Sequence, residues 1–151
     1  MSNQETPYCP IALSISYVGD KWTLIILRDL ILYKKTRFKE LKASSRKIAT
    51  NILTNRLKML LKEGFIVYLN PAGTKKSRQY IVTNKGLLTL PILFELYIFS
   101  IHSIDESELS AADLDFKKEF LSDMTLFKEK KTKDYLDFVQ ALQKTIPLSS
   151  I

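Results

Sequence analysis

The sequence contains a single cysteine and a single histidine among its 151 residues, and both shortages exclude chemistry. One cysteine cannot close an intrachain disulfide, and Cys9 with His102 falls short of the four ligands of a structural zinc site. The same two residues lie far apart in sequence, so they form no evident nucleophile and base pair for covalent catalysis. Glycine is scarce as well, and none of the four sits in a Gly-rich phosphate loop. No cofactor, no metal and no enzymatic activity are therefore expected. Long apolar runs are missing too. The longest, residues 87–101, is interrupted by Thr89, Pro91 and Glu95 and falls short of the ~20 residues that span a bilayer. Residues 1–9 are polar and lack the apolar centre of a secretory leader. The expectation is a soluble, cytoplasmic chain with no membrane partner. Internal repeats and low-complexity runs are also lacking.

Acidic residues are nearly absent from one part of the chain. Between Lys21 and Lys85 there are sixteen Lys and Arg but only Asp29, Glu40 and Glu63. The other residues carry seven basic and thirteen acidic side chains, so the overall charge of +7 conceals a strongly basic block. Such segregation points to a polyanion held through its phosphates. With 46% apolar and 26% charged residues, the composition is that of a globular chain with a sizeable core.

Within the basic block, residues 36–64 carry the pattern that matters most. Residues 37–42 read as a short helix, residues 43–47 break the apolar rhythm, and a longer helix runs from about Ala49 to Lys62. Ala49, Ile52, Leu53, Leu57, Leu60 and Leu61 recur at helical spacing and predict a buried side. Asn51, Thr54, Asn55, Lys58 and Lys62 share the opposite side, which has no acidic residue. Asn pairs with adenine, Thr meets a thymine methyl, and Lys meets guanine or phosphate. A short helix, a tight turn and a reading helix make a helix-turn-helix. Thr50, Asn51, Thr54, Asn55 and Lys58 are the candidate base readers.

The flanking segments complete this reading. Pro10 suits the first turn of a helix over residues 10–18, with Ile11, Ile15 and Val18 facing inward and Gly19 ending it. Asp20 is a candidate N-cap for a central, apolar helix over residues 21–33 with Trp22 as a core anchor. Residues 65–69 and 79–82 predict two strands joined by the turn residues 70–73 and the cationic Lys75-Lys76-Ser77-Arg78. This hairpin reads as a wing whose cations reach phosphates or the minor groove. Lys35, Arg37, Lys39, Arg46, Lys47, Arg56, Lys75, Lys76 and Arg78 are the candidate phosphate contacts. Thr83 can cap a helix over residues 84–102, bent or disrupted at Pro91, with more apolar surface than one small domain covers. That excess predicts a second subunit or burial under the tail. The tail is net acidic and predicts helices over residues 111–128 and 133–146, serving dimerisation or shielding.

At these residues the chain resembles the HxlR-type regulators, winged-helix relatives of the MarR group in bacteria and archaea. The resemblance rests on Cys9-Pro10-Ile11, Gly19-Asp20-Lys21-Trp22-Thr23-Leu24, Arg28-Asp29-Leu30, Arg37-Phe38-Lys39-Glu40-Leu41, Ile48-Ala49 and Leu53. It continues through Arg56-Leu57-Lys58, Glu63-Gly64-Phe65-Ile66, Tyr80-Ile81-Val82-Thr83, Gly86 and Leu90-Pro91. It implies a homodimeric transcription regulator binding double-stranded DNA at an inverted-repeat operator. Three features depart from it: Ala49 replaces a usual serine cap, Lys75-Lys76-Ser77-Arg78 replaces a Pro-Pro wing, and the tail is longer. Several members of the resembled family carry an oxidant- or electrophile-sensing cysteine near the position of Cys9. A cysteine before Pro10 would also sit at a helix N-terminus, where the dipole favours a thiolate; the alternative is a small buried packing residue.

The expected fold is mainly α with a small β-hairpin wing, a winged helix-turn-helix over residues 8–104 and a helical extension over residues 105–151. The expected function is a sequence-specific, homodimeric DNA-binding regulator, its small-molecule effector unknown. A non-specific architectural DNA binder and a winged-helix protein-interaction module are the alternatives.

Overall fold

The computed structural model describes residues 9–44 and 47–146. Helix α1 (Pro10–Val18) begins at a proline and ends where the Gly19 amide donates to the Ile15 carbonyl at 2.8 Å. Asp20 then caps α2 (Lys21–Ile31), its carboxylate accepting from the amides of Trp22 and Thr23 at 3.0 and 3.1 Å. Helices α3 (Phe38–Ser44) and α4 (Thr50–Lys62) follow. Strands β1 (Ile66–Tyr68) and β2 (Tyr80–Val82) form an antiparallel hairpin with Ile66 opposite Val82 and Tyr68 opposite Tyr80. The chain continues with α5 (Asn84–Leu87), α6 (Leu90–Ser103), a 3-10 turn (Glu106–Glu108), α7 (Ala111–Ser122) and α8 (Met124–Gln143). The architecture is a winged helix-turn-helix with C-terminal helices.

Helix α2 packs against α3, α4, α6 and β2. Its Ile26, Leu27, Leu30 and Ile31 are buried, as the all-round apolar sequence predicts. Trp22 lies half-buried at the edge of this core rather than within it. Leu41, Ile48, Leu53, Leu57 and Leu60 bring the helix-turn-helix onto the core, and Phe65, Ile66 and Val82 bring the root of the hairpin. The tail adds Phe120, Phe127 and Tyr135 to the same core. Phe94 of α6 meets Phe120 and Phe127 at centroid distances of 5.8 and 5.7 Å, so part of the apolar excess on α6 is covered by the chain itself.

Two expectations are corrected, and the disruption expected at Pro91 is located. Ile11 and Ile15 do not face inward: they are 71% and 60% exposed, because α1 reaches the core mainly through Val18 and Tyr17. Residues 84–102 form two helices separated at Leu88 and Thr89. Pro91 has no N–H for the Leu87 carbonyl and its ring would clash there, so a new helix starts at Leu90. This break also divides Asn84–Ser103, which by length and composition alone is apolar enough to cross a bilayer. In the tail, the helices divide at Asp123 and not after Lys128. Asp123 is extended, and its carboxylate caps α8 by accepting from the Leu126 amide at 2.9 Å. The reversal there lets Phe120 and Phe127 approach each other to 5.2 Å.

Two glycines are required by geometry. Gly64 follows α4 with φ +76°, and the adjacent Phe65 amide donates back to the Leu60 carbonyl at 2.9 Å. Gly86 lies so close to the hairpin that a Cβ there would come within 2.2 Å of the Phe65 carbonyl oxygen. Gly86→Ala is therefore expected to destabilise the fold by about 1–3 kcal/mol through overpacking. Urea unfolding followed by circular dichroism checks this, and an unchanged midpoint would contradict it.

Candidate nucleic-acid interface

The entry to the helix-turn-helix is a knot around Thr36. The Thr36 and Arg37 amides donate to one Glu40 carboxylate oxygen at 3.0 and 2.8 Å, which fixes the first turn of α3. Burial alone would raise the Glu40 pKa, but these two amides and the Arg37 charge outweigh it and leave it lowered. The Thr36 hydroxyl donates to the Gln79 side-chain oxygen at 2.9 Å, and the Tyr80 amide donates to the Thr36 carbonyl at 2.7 Å. One residue thus joins the helix-turn-helix to the hairpin. Across the turn, the Lys42 ammonium donates to the Ile48 carbonyl just before α4.

Helix α4 starts without a side-chain cap, since Ala49 stands at the N-cap position. Thr50 is the first helical residue and is exposed, so it does not take over the cap. Asn51, Asn55 and Lys58 are exposed along the outer side of α4. Thr54 is half-buried, and its hydroxyl donates to the Thr50 carbonyl at 2.8 Å, leaving its methyl and an oxygen lone pair available.

Between α3, α4 and the hairpin lies a groove of about 800 Å³. Arg37, Lys39, Lys58, Lys75, Lys76 and Arg78 line it together with Thr54, Tyr68 and Tyr80, and among the described residues no acidic side chain does. Arg78 is built into the hairpin: its Nε donates to the Gly73 carbonyl at 3.1 Å, and its guanidinium lies 4.8 Å from the Tyr68 ring. Tyr68 in turn stands 5.2 Å from Tyr80, whose phenol burial pushes up to about 12. Two of the three acidic residues of the basic block point to protein partners. Asp29 is buried against Arg28 at 2.7 Å, and Glu40 faces the amides of Thr36 and Arg37.

The remaining candidates are distributed differently. Lys47 is exposed in the turn before α4, and Lys35 stands outside the groove with its ammonium 5.9 Å from the Tyr33 ring. Arg46 lies outside the described residues. Arg56, another expected phosphate contact, is engaged within the fold. Its Nε and one terminal nitrogen meet the two Asp20 carboxylate oxygens at 2.8 and 3.1 Å. This bidentate pair joins the cap of α2 to the middle of α4. The Arg56 hydrogen bond, with help from the Thr23 and Trp22 amides, holds the Asp20 pKa down to about 2. Sequence spacing does not reveal the partner, because 36 residues separate the two.

Cys9 stands exposed at the N-terminus of α1. Its sulfur makes no full capping hydrogen bond, yet the Ala12 and Ile11 amides facing it lower the thiol pKa.

The family model of the HxlR-like helix-turn-helix matches residues 17–108. The chain belongs to the HxlR-like helix-turn-helix family. Its HxlR-like region is 32% identical over 93 residues to the uncharacterized HTH-type transcriptional regulator BH0655 of Halalkalibacterium halodurans, covering 62% of this chain and 80% of that protein. It is 29% identical over 87 residues to the uncharacterized HTH-type transcriptional regulator YdzF of Bacillus subtilis, covering 58% and 80%. Among solved structures, the candidate transcription factor PA1607 aligns at a TM-score of 0.60 with 28% identity, covering 72% of this chain and 75% of that one. As an HxlR-like protein the chain is a helix-turn-helix transcription regulator, and this family is not an enzyme family.

The Asp20–Arg56 pair gives a pH-dependent test. Because the folded pKa of Asp20 is depressed, its stabilisation is present above the ordinary carboxylate value and is lost as pH falls through about 2. Asp20→Ala, which removes the cap as well, is expected to cost about 0.5–2 kcal/mol near neutral pH. The difference from wild type should shrink between about pH 4 and 2. Chemical unfolding across that range measures it, and a constant difference would refute the assignment.

Proposed function

We propose that this HxlR-like chain is a homodimeric, sequence-specific regulator that binds an inverted-repeat operator in double-stranded DNA. The observation that carries the reading is the groove lined by six cations beside the exposed Asn51 and Asn55 of α4. Thr50, Asn51, Thr54, Asn55 and Lys58 read base edges in the major groove. Arg37, Lys39, Lys47, Lys75, Lys76 and Arg78 hold phosphates on either side, and Lys35 and Arg46 are further phosphate contacts. The polypeptide divides its work between residues 8–104, a DNA-binding and dimerisation core, and residues 105–151, a C-terminal helical extension whose Phe120, Phe127 and Tyr135 pack on that core. The cytoplasm, where the DNA is, is its place of action.

Dimerisation is supported by the apolar side chains left uncovered on α1 and α6. Ile11, Leu13 and Ile15 of α1 and Ile92, Leu96 and Phe99 of α6 are all exposed. A two-fold pairing through these helices sets two copies of α4 about one DNA turn apart, or a multiple of it. Light scattering at micromolar concentration should give twice the mass of the chain; a monomer would exclude this arrangement.

Base reading and phosphate contact are separable by mutation. Asn55→Ala should weaken operator binding by about 1–3 kcal/mol and relax preference at one base pair. Lys76→Ala should weaken binding to all sequences alike and reduce the salt slope by about one unit. Equal loss from Asn55→Ala on operator and random DNA would favour a non-specific binder instead.

Cys9 is the candidate for redox or electrophile response. Its exposure and lowered pKa are the properties of a reactive thiol. Under diamide, two Cys9 thiolates of a dimer give up two electrons to the diazene and join as an intersubunit disulfide. Wild type should then shift in operator affinity and form a crosslinked dimer on a non-reducing gel, whereas Cys9→Ser should do neither. The same response from both proteins would leave Cys9 without a sensing role.

A further inference from the structure

The wing is held at its root from an unexpected direction. Along β2 the backbone alternates. The Gln79 carbonyl accepts from Leu69, and the Thr83 amide donates to Phe65, so these positions face β1. The amides of Tyr80 and Val82 turn to the outer edge, where among the described residues the hairpin has no further strand. Both are nevertheless paired. Tyr80 donates to the Thr36 carbonyl at 2.7 Å, and Val82 donates to the phenol oxygen of Tyr135 at 2.7 Å. Tyr135 stands in the middle of α8, is only 2% exposed, and lies beyond residue 108, where the family match ends.

The position of this bond matters more than its strength. Val82 is the last residue of β2, directly before Thr83, whose hydroxyl donates to the Gly64 carbonyl and caps α5 through the Gly86 amide. The edge amide of Val82 is buried, so without an acceptor the strand end must move or carry an unpaired donor. Arg78 lies four residues back along the hairpin, roughly 13 Å at ~3.3 Å per residue. A small rotation at the root therefore displaces Lys75, Lys76 and Arg78 appreciably. The opposite anchor, Thr36, belongs to the helix-turn-helix itself, so it cannot adjust the hairpin independently of α3.

We infer that Tyr135 is a positioning residue for DNA binding: from α8 it fixes the root of the wing, so the C-terminal extension sets how the wing cations meet the phosphates. This rests on the DNA-binding reading above. The phenol keeps its proton throughout the physiological range, since burial pushes its pKa up to about 12.

The test uses the full chain and a duplex recovered by the wild type from a random-sequence pool. Binding is measured against KCl concentration for wild type, Tyr135→Phe, the Lys75→Ala/Lys76→Ala double variant and their combination. Tyr135→Phe should weaken binding about tenfold at low salt and flatten the log–log salt slope by about two units, matching the lysine double variant. The combination should lose little more than either alone. A lowered melting temperature with unchanged affinity and slope would make Tyr135 a packing residue only, and additive losses would also overturn the inference. Failure of the wild type to recover any duplex would instead count against the DNA-binding reading. If Tyr135→Phe does not fold, amide exchange in the wild type decides. Val82 protected alongside Leu27 and Leu30 supports the strut, and exchange as fast as that of Lys75 and Lys76 overturns it.

Discussion

Burial of α2 is the constraint on which the rest of the molecule depends. A helix whose Ile26, Leu27, Leu30 and Ile31 are all buried must be covered from several directions. The chain supplies the cover with α3, α4, β2 and α6. Removing those side chains from water is worth about 1.5–3 kcal/mol each, which no single surface contact approaches. Helix α4 and the hairpin keep their relative geometry because both are packed against one buried helix. The Asp20–Arg56 and Thr36–Tyr80 pairings then add direction to an interaction that has none of its own.

The electrostatics follow from how the few acidic residues of the basic block are used. Asp29 and Glu40 neutralise or cap groups inside the protein, and so does Asp20 on Arg56. What remains toward the groove is positive. A polyanion approaching the groove meets six cations with, among the described residues, no carboxylate lining it. Arg56 of α4 pairs with a carboxylate and is drawn back into the fold, which leaves Asn51, Asn55 and Lys58 facing outward.

The apolar surplus on α6 is divided between two covers. Phe94 is buried within the chain by Phe120 and Phe127, so the tail is part of the core and not only an appendage. Ile92 and Leu96 stay open beside the more exposed Ile11 and Ile15 of α1, and Phe99 is open as well. The tail thereby contributes twice, closing one side of α6 and supplying the phenol that ends β2.

The sequence by itself determined whatever depends on neighbours a few residues away. The cap at Asp20, the stop at Gly19, the helix-turn-helix periodicity, the hairpin and the interruption at Pro91 are all local consequences of side-chain shape, hydrogen bonding and a fixed proline φ. Its charge pattern and motif order were enough to indicate the family. The tertiary structure alone decided the partners of Arg56, Thr36 and Tyr135, which lie 36, 43 and 53 residues away in sequence at Asp20, Gln79 and Val82. It also decided which apolar residues of α1 stay uncovered and that the tail turns at Asp123, a cap signal that residue periodicity overran. The physical reason is range. Propensity, capping and steric clash act within about one helical turn, whereas a hydrogen bond or ion pair between distant segments exists only once hydrophobic packing has fixed their separation to within a few tenths of an ångström.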